Sequence, residues 1–309
     1  MRIAMIGAGG TGGYFGGLLA RVGEQVTFLA RGAQLEALRT HGLTVQSRLA
    51  GTFSVSVQAT NDPAEIGPVD LVLFCVKVYD TVAASQRLHH LVGPETVVLP
   101  VQNGIDAAER LSGAVGMQQL IGGVAYVTSH IVSPGVVAQT AGSGRIELGE
   151  LTGGQSERTQ RVQQVLQHAG IPTKLPPDIR VSLWEKWLFI CAFSGVTALT
   201  RLPIGLVMAY PETRDLLRAI LREGATLARA YGIALPVDIV ERYIAQLNAL
   251  EPEAMGSMAV DLLAGRRLEV EVLNGAMVHL GQEQGLSLPF NTAIYAALKP
   301  SAEGARSQG

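Results

Sequence analysis

Arg2-Ile3-Ala4-Met5-Ile6-Gly7-Ala8-Gly9-Gly10-Thr11-Gly12 is the stretch that decides the fold. An apolar run suited to a buried strand feeds into a G-x-G-x-x-G turn, and residues 14–22 read as the helix that follows. Such a turn brings the backbone N–H groups of Gly7, Ala8, Gly9, Gly10, Thr11 and Gly12 close to a pyrophosphate, and the helix N-terminus adds partial positive charge. Gly7 makes the tight turn, Gly9 leaves room for phosphates, and Gly12 lets the helix pack against the strand. Residues 25–29 read as a second strand. Together these segments make a βαβ unit of about 30 residues, the context that gives an otherwise weak glycine motif its meaning.

The end of that second strand speaks to the ligand. A site selective for NAD usually places an acid there to bind the ribose 2′-hydroxyl. Here Ala30-Arg31 follows, with Arg31 nineteen residues past Gly12. A cation at this point suits a 2′-phosphate, so the expected cofactor is NADP(H).

The 309 residues suffice for two domains with separate cores. Apolar residues make up 48% and charged residues 16%, the balance of a folded globular chain. A net charge of −2 and 5% aromatics speak against a nucleic-acid partner, which calls for basic patches or stacking platforms. Cys75 and Cys191 lie in apolar runs without metal-ligand spacing. They read as buried reduced thiols of a cytoplasmic protein, and no metal site is expected. The glycines after residue 6 break up any leader peptide, and the uncharged stretch 187–200 is too short to span a bilayer.

Dense apolar strands are expected at 70–76 and 96–101, with helices at 81–91 and 107–114. Segments 124–128 and 136–140 read as late sheet strands joined by a turn. Gly170-Ile171-Pro172-Thr173-Lys174-Leu175-Pro176-Pro177 is the best domain boundary, and Asp178 is a plausible N-cap for the next helix. From there the pattern is helical: 179–199, apolar on nearly every side, then 212–231, 237–248, 258–263, 269–284 and 292–298. Pro211 and Pro236 stand where first-turn prolines belong. The expected organisation is an α/β Rossmann domain with a parallel sheet over residues 1–175, an all-α domain over 178–300 and a disordered tail at 301–309.

In a doubly wound sheet ligands bind beyond the carboxyl ends of the strands. Lys77 follows the strand at 71–76 and Asn103-Gly104 follows the one at 97–101, although either also suits an ordinary turn. Lys186, inside Leu183-Trp184-Glu185-Lys186-Trp187-Leu188, is unusual for so apolar a helix. It either snorkels to the surface or is a cleft lysine whose lowered pKa suits proton transfer. Farther on, Ser257-Met258 with Asp261 precedes Glu269-Val270-Glu271-Val272-Leu273-Asn274-Gly275, which unaided reads as a solvated helix face with Glu271 pointing away from Glu269. The histidines form no catalytic centre and read as structural or solvent-facing.

Taken in order, the glycine turn with Arg31, Lys77, Gln102-Asn103-Gly104, Leu183-Trp184-Glu185-Lys186, Ser257 with Asp261, and Glu269 through Gly275 resemble the ketopantoate reductases (2-dehydropantoate 2-reductases) across residues 1–299. The resemblance implies a Rossmann domain joined to a helical domain like the C-terminal domain of 6-phosphogluconate dehydrogenase, with the active site in the cleft between. It implies NADPH-dependent reduction of 2-dehydropantoate to (R)-pantoate on the route to coenzyme A. Lys186 would be the general acid and Glu269 would hold the substrate hydroxyl and orient the lysine. Asn103 and Ser257 would bind substrate polar groups, and Lys77, with Asn103, would lie beside the cofactor. Where the best-known members carry asparagines four and eight residues after the lysine, this chain has Ile190 and Ser194, so the substrate pocket is expected to be less polar. Two other functions compete: a paralogous reductase of another branched 2-oxo acid, and a non-catalytic NADPH-binding sensor. A sensor would need neither Lys186 nor Glu269. The apolar helices can close a monomer's core or offer a face to a homodimer, and the sequence leaves both open.

Overall fold

β1 (Arg2–Ile6), α1 (Gly10–Arg21) and β2 (Gln25–Leu29) form the βαβ unit that the glycine turn requires. After them come α2 (Gly32–His41), β3 (Leu43–Ser47), β4 (Gly51–Val55), β5 (Gln58–Thr60), β6 (Leu71–Phe74), α3 (Thr81–Ser85), β7 (Val97–Pro100) and α4 (Ala107–Val115). The order β5-β2-β1-β6-β7 makes a five-stranded sheet, parallel at every pairing. Its central strands β1, β6 and β7 are almost wholly apolar because both faces are covered, while β2 and β5 carry Gln and Thr toward the edge. Ile3, Met5, Phe28, Leu71 and Leu73 belong to one core, and Ala4, Ile6, Val72, Phe74 and Val98 to another on the opposite face. This is a computed structural model, and it describes residues 1–304.

β8 (Gly122–Ser133) and β9 (Val136–Gly149) form a long antiparallel hairpin, α5 is Glu157–His168 and β10 is Thr173–Lys174. The segments at 124–128 and 136–140 are sheet strands joined by a turn, as expected, and they lie outside the parallel sheet. β9 belongs to a second sheet in the order β10-β9-β3-β4, with β8 on β9. α1 lies between the sheets, which explains why it is so rich in glycine. A Cβ on Gly13 would approach Val137 of β9 to 2.7 Å, and one on Gly17 would approach Val45 of β3 to 2.7 Å. On the other side a Cβ on Gly16 would come within 2.5 Å of Phe28 in β2. Side chains at these positions would force the layers apart, in a core that tolerates little extra volume.

The single helix expected at 81–91 is instead the short α3 between one-turn 3-10 segments at Val78–Asp80 and Leu88–His90. Arg87, between α3 and the second 3-10 segment, leaves helical geometry at φ −110° and ψ 6°, and its side chain donates to Asp62 Oδ1 at 2.6 Å.

The chain divides into two compact units, one of Met1–Ser182 and one from Leu183 onward. The division falls inside α6 (Ile179–Thr200), a few residues beyond the Pro176-Pro177 segment. The reason is Ile179, fully buried, on which Gly122 and Gly149 close. Asp178 does cap this helix: its Oδ1 accepts the Arg180 N–H at 2.9 Å.

The second unit is helical: the rest of α6, then α7 (Ile204–Ala209), α8 (Pro211–Ala230), α9 (Ile239–Asn248), α10 (Ser257–Leu263), α11 (Ala276–Glu283) and α12 (Pro289–Leu298). The helix expected over 269–284 does not run through. Glu271–Gly275 is a wide π-type turn with Leu273 at φ −98° and ψ −105°, and Glu269 precedes it. The expected tail is also partly ordered. The Ala302 carbonyl accepts the Leu268 N–H at 2.8 Å and Glu303 pairs with Arg267 at 3.1 Å, while residues 305–309 lie outside the described residues. Among the described residues no helix is long and apolar enough to cross a membrane.

Candidate active site

In the first unit the site is built from the carboxyl ends of parallel strands. Gly7 ends β1 at φ +100°, a conformation that L side chains rarely adopt. A Cβ on Gly12 would collide with the Gly7 carbonyl oxygen, and one on Gly10 with the Ser129 carbonyl in β8. Gly9 differs: a Cβ there meets nothing within 4 Å, so the loop holds a space that the protein itself does not fill. Gly9 is also the N-cap of α1 and makes no side-chain cap, and the helix's first turn carries no acid. The N–H groups of the first turn have no partner within the helix. A backbone cradle open at Gly9, at a positive helix end without competing carboxylates, fits a dinucleotide pyrophosphate.

Flanking strands bring the other predicted residues to the same edge. Arg31 follows β2 as the N-cap of α2, with its side chain 85% exposed and 3.6 Å from Asp80 Oδ2. So long and exposed an ion pair is worth little and yields readily to a phosphate. Lys77 follows β6 and is exposed, and half-buried Asn103 follows β7. Gly7 to Gly12, Arg31, Lys77 and Asn103 thus lie at the carboxyl ends of β1, β2, β6 and β7. The strand order reverses between β1 and β6, which is where such sheets bind ligands.

Two glutamines hold this edge in place. Buried Gln102 donates from Nε2 to the Val76 carbonyl and to Thr81 Oγ1, both at 2.8 Å, tying the end of β7 to that of β6. Gln34 of α2 donates to the Ala8 carbonyl at 2.9 Å and accepts the Gly135 N–H at 2.9 Å, fixing the glycine loop to the β8–β9 turn. Gln34 carried no signal in the sequence, because its partners lie far away along the chain.

In the second unit the site centres on α6. Lys186 is half-buried. Burial pushes its ammonium from the ordinary 10.5 down to about 8, and the Glu269 carboxylate acts against that fall. Glu269 itself is 6% exposed, so the structure brings the two predicted residues together in one desolvated place. Glu271 points elsewhere, as expected: it pairs with Lys299 and accepts the Tyr295 hydroxyl at 2.9 Å. Ile190 is half-buried one turn beyond Lys186.

Ser194, another turn on, is 2% exposed and lies directly beneath Gly256, whose Cβ would strike it. Thr197, missed in the sequence, accepts the Gly256 N–H at 3.2 Å. Ser194 and Thr197 therefore set the start of α10, where Ser257 stands exposed as the first residue. Asp261, buried, accepts Arg266 Nε at 2.8 Å and so braces the turn after α10. Burial pushes the Cys75 thiol up to about 12 and holds Cys191 well above its ordinary value, so neither is a ready nucleophile.

Comparison with known proteins agrees with both halves. Residues 3–153 match the model of the family described as "Ketopantoate reductase PanE/ApbA", and residues 178–302 match that of its C-terminal domain. The chain belongs to the ketopantoate reductase family. It is 32% identical to the 2-dehydropantoate 2-reductase of Archaeoglobus fulgidus, over 95% of either chain. It is also similar to an uncharacterized oxidoreductase, YkpB, of Bacillus subtilis, with 27% identity over 97% of this chain and 98% of that one. The crystal structure of 2-dehydropantoate 2-reductase from Geobacter metallireducens superposes with a TM-score of 0.91 at 33% identity, covering 97% of this chain and all of that one. As a member of this family the chain is an NAD(P)-dependent oxidoreductase acting on CH–OH groups, with a parallel-sheet α/β unit followed by a helical one.

Proposed function

We propose that this ketopantoate reductase family member reduces 2-dehydropantoate to (R)-pantoate with NADPH, Lys186 acting as general acid. The observation that carries the reading is Lys186 itself, a half-buried ammonium brought to about 8 by burial beside the carboxylate of Glu269. A group poised near neutral pH both stabilises charge growing on a carbonyl oxygen and can deliver the proton.

When bound, the reduced nicotinamide supplies the hydride that adds to the ketone carbon. The chain's residues do the rest. Gly7, Ala8, Gly9, Gly10, Thr11 and Gly12 hold the pyrophosphate through backbone N–H groups, and Arg31 takes the 2′-phosphate. Lys77 and Asn103 flank the cofactor. As the C=O π pair moves onto oxygen, a Lys186 Nζ–H bond breaks and its proton passes to that oxygen, leaving a neutral amine that solvent reprotonates. Glu269 holds the substrate hydroxyl and keeps the lysine aimed, while Ser257 and Asn103 bind polar groups of the acid. Two free thiols and the freely diffusing substrate suit a cytoplasmic enzyme.

Ile190 supports a second reading within the same chemistry. An apolar side chain one turn from Lys186 favours a more apolar 2-oxo acid. The deciding experiment is NADPH oxidation with 2-dehydropantoate beside a panel of branched 2-oxo acids, repeated with NADH. Turnover of 2-dehydropantoate that prefers NADPH supports the first reading. Activity confined to another 2-oxo acid selects the second. Cofactor binding without turnover of any substrate would leave a sensor.

A further inference from the structure

The turn that carries Glu269 toward α6 is irregular, and a chain of buried amides holds it. Asn274 lies in the π-type turn and is fully buried. Its Nδ2 donates to the Cys191 carbonyl of α6 at 3.3 Å and to Asn291 Oδ1 at 3.0 Å. Asn291 Nδ2 in turn donates to Glu223 Oε2 of α8 at 2.7 Å, while the Phe290 and Asn291 N–H groups bond the same carboxylate at 2.9 Å each. These partners fix the direction of every dipole. The Glu223 carboxylate accepts only, so the Asn291 amide turns its nitrogen outward and its oxygen toward Asn274. Asn274 then faces two acceptors and must present its own nitrogen to both.

That orientation leaves Asn274 Oδ1 buried over Gly195 with no hydrogen-bond partner. The unpaired oxygen is a cost that sits against the two bonds made by the same amide's nitrogen. A second link lies one turn away, where Trp187 Nε1 donates to the Val272 carbonyl at 3.0 Å. Trp187 adjoins Lys186, and Val272 and Asn274 follow Glu269 across the turn where Leu273 leaves helical geometry. The links set the register of the Glu269 segment against the Lys186 face of α6.

We propose that Asn274, oriented by Asn291 and Glu223, is a positioning residue for the general-acid site, locking the π-type turn so that the Glu269 carboxylate faces Lys186. The proposal rests on the reading of Lys186 and Glu269 given above. It assigns the amide a role beyond holding α6 and α12 together: it sets a carboxylate position and, through it, the proton affinity of the lysine.

The test is the apparent pKa of Lys186 in the full-length protein without substrate, from competitive labelling by an amine-reactive reagent across pH with mass-spectrometric readout. In wild type, burial lowers that value and Glu269 raises it. Neighbouring Cys191 stays a neutral thiol and adds no charge. Asn274→Ala should lower the Lys186 value by about half a unit to one unit as the carboxylate drifts away. Glu269→Gln should lower it further and sets the ceiling.

The sign separates positioning from mere packing. A loosened core that admits water would relieve desolvation and raise the value toward 10.5. A rise or no change in Asn274→Ala, with Glu269→Gln showing its fall, overturns the proposal. If Asn274→Ala does not fold, Asn291→Ala decides, because it keeps the two backbone bonds to Glu223 and removes the side-chain amide that orients Asn274. A smaller fall in that variant supports the relay, and a rise or no change overturns it. No change in Glu269→Gln would remove the pairing and the relay with it. None of these readouts depends on which 2-oxo acid is reduced, so a different substrate leaves the test intact.

Discussion

The two units prepare their sites with different materials. The first uses backbone: glycines kept free of side chains, a bare helix N-terminus, and strand ends aligned by the parallel sheet. The second uses side chains on an apolar helix, positioned by a kinked turn and buried amides. A backbone site is specified locally, within a dozen consecutive residues. A side-chain site depends on contacts between residues more than eighty positions apart, such as Trp187 with Val272. The first kind should fail when volume is added, the second when charge or register is lost.

The largest expected effect tests the side-chain half. Lys186→Ala should lower turnover about 10²- to 10⁴-fold, the usual scale of general acid catalysis. Dinucleotide affinity, measured by fluorescence titration, should stay the same. Lost cofactor binding in this variant would break the division of labour. In wild type the protonated lysine is the active form, so kcat/KM should fall as pH rises through about 8. Stability runs the opposite way. The folded value lies below the ordinary 10.5, so the folded state gains stability as pH rises between the two.

Two glycines sharpen the backbone half. Gly12→Ala places a methyl against the Gly7 carbonyl oxygen and should cost about 1–3 kcal/mol in thermal or denaturant unfolding as well as weaken the cofactor. Gly9→Ala meets nothing within 4 Å, so stability should be unchanged while dinucleotide affinity falls. Equal destabilisation by both variants would mean that the space at Gly9 is not kept for a ligand.

How much could be read in advance follows the same division. The βαβ unit, the carboxyl-edge residues and the helical second half were legible, since glycine spacing and apolar periodicity are local signals. The second sheet was not. β3 and β4 are short, and β3 pairs with β9 across some ninety residues, as in Val45 with Val137. Lys186 and Glu269 were found by family resemblance, and sequence alone left the lysine as a surface candidate. The helix expected through Glu269 gives way to a π-type turn whose Asn274 donates to α6 and α12 and whose Val272 carbonyl accepts Trp187 of α6, contacts that no local pattern encodes.

A smaller effect is expected at Arg31. Arg31→Ala should weaken NADPH about tenfold, equivalent to about 1.4 kcal/mol, and leave NADH nearly unchanged. The side chain is exposed and its bond to Asp80 is long, so the fold should not notice its loss. Equal weakening of both cofactors would place the 2′-phosphate elsewhere, and the backbone cradle would then set affinity without choosing the nucleotide.

The smallest effect bears on what the side-chain half selects. Ile190 occupies a half-buried position where family resemblance places an asparagine, one turn from Lys186 on the same face of α6. An amide there adds a donor and an acceptor for the acid or hydroxyl end of a substrate. Ile190→Asn should therefore raise kcat/KM for 2-dehydropantoate a few-fold and lower it for apolar branched 2-oxo acids. The same change exposes an amide to the helix core, so the gain must be read as a ratio between substrates at equal folded fraction. A ratio that stays flat would mean that polarity near Lys186 does not choose the substrate. Selection would then rest on other polar groups, such as Ser257 and Asn103.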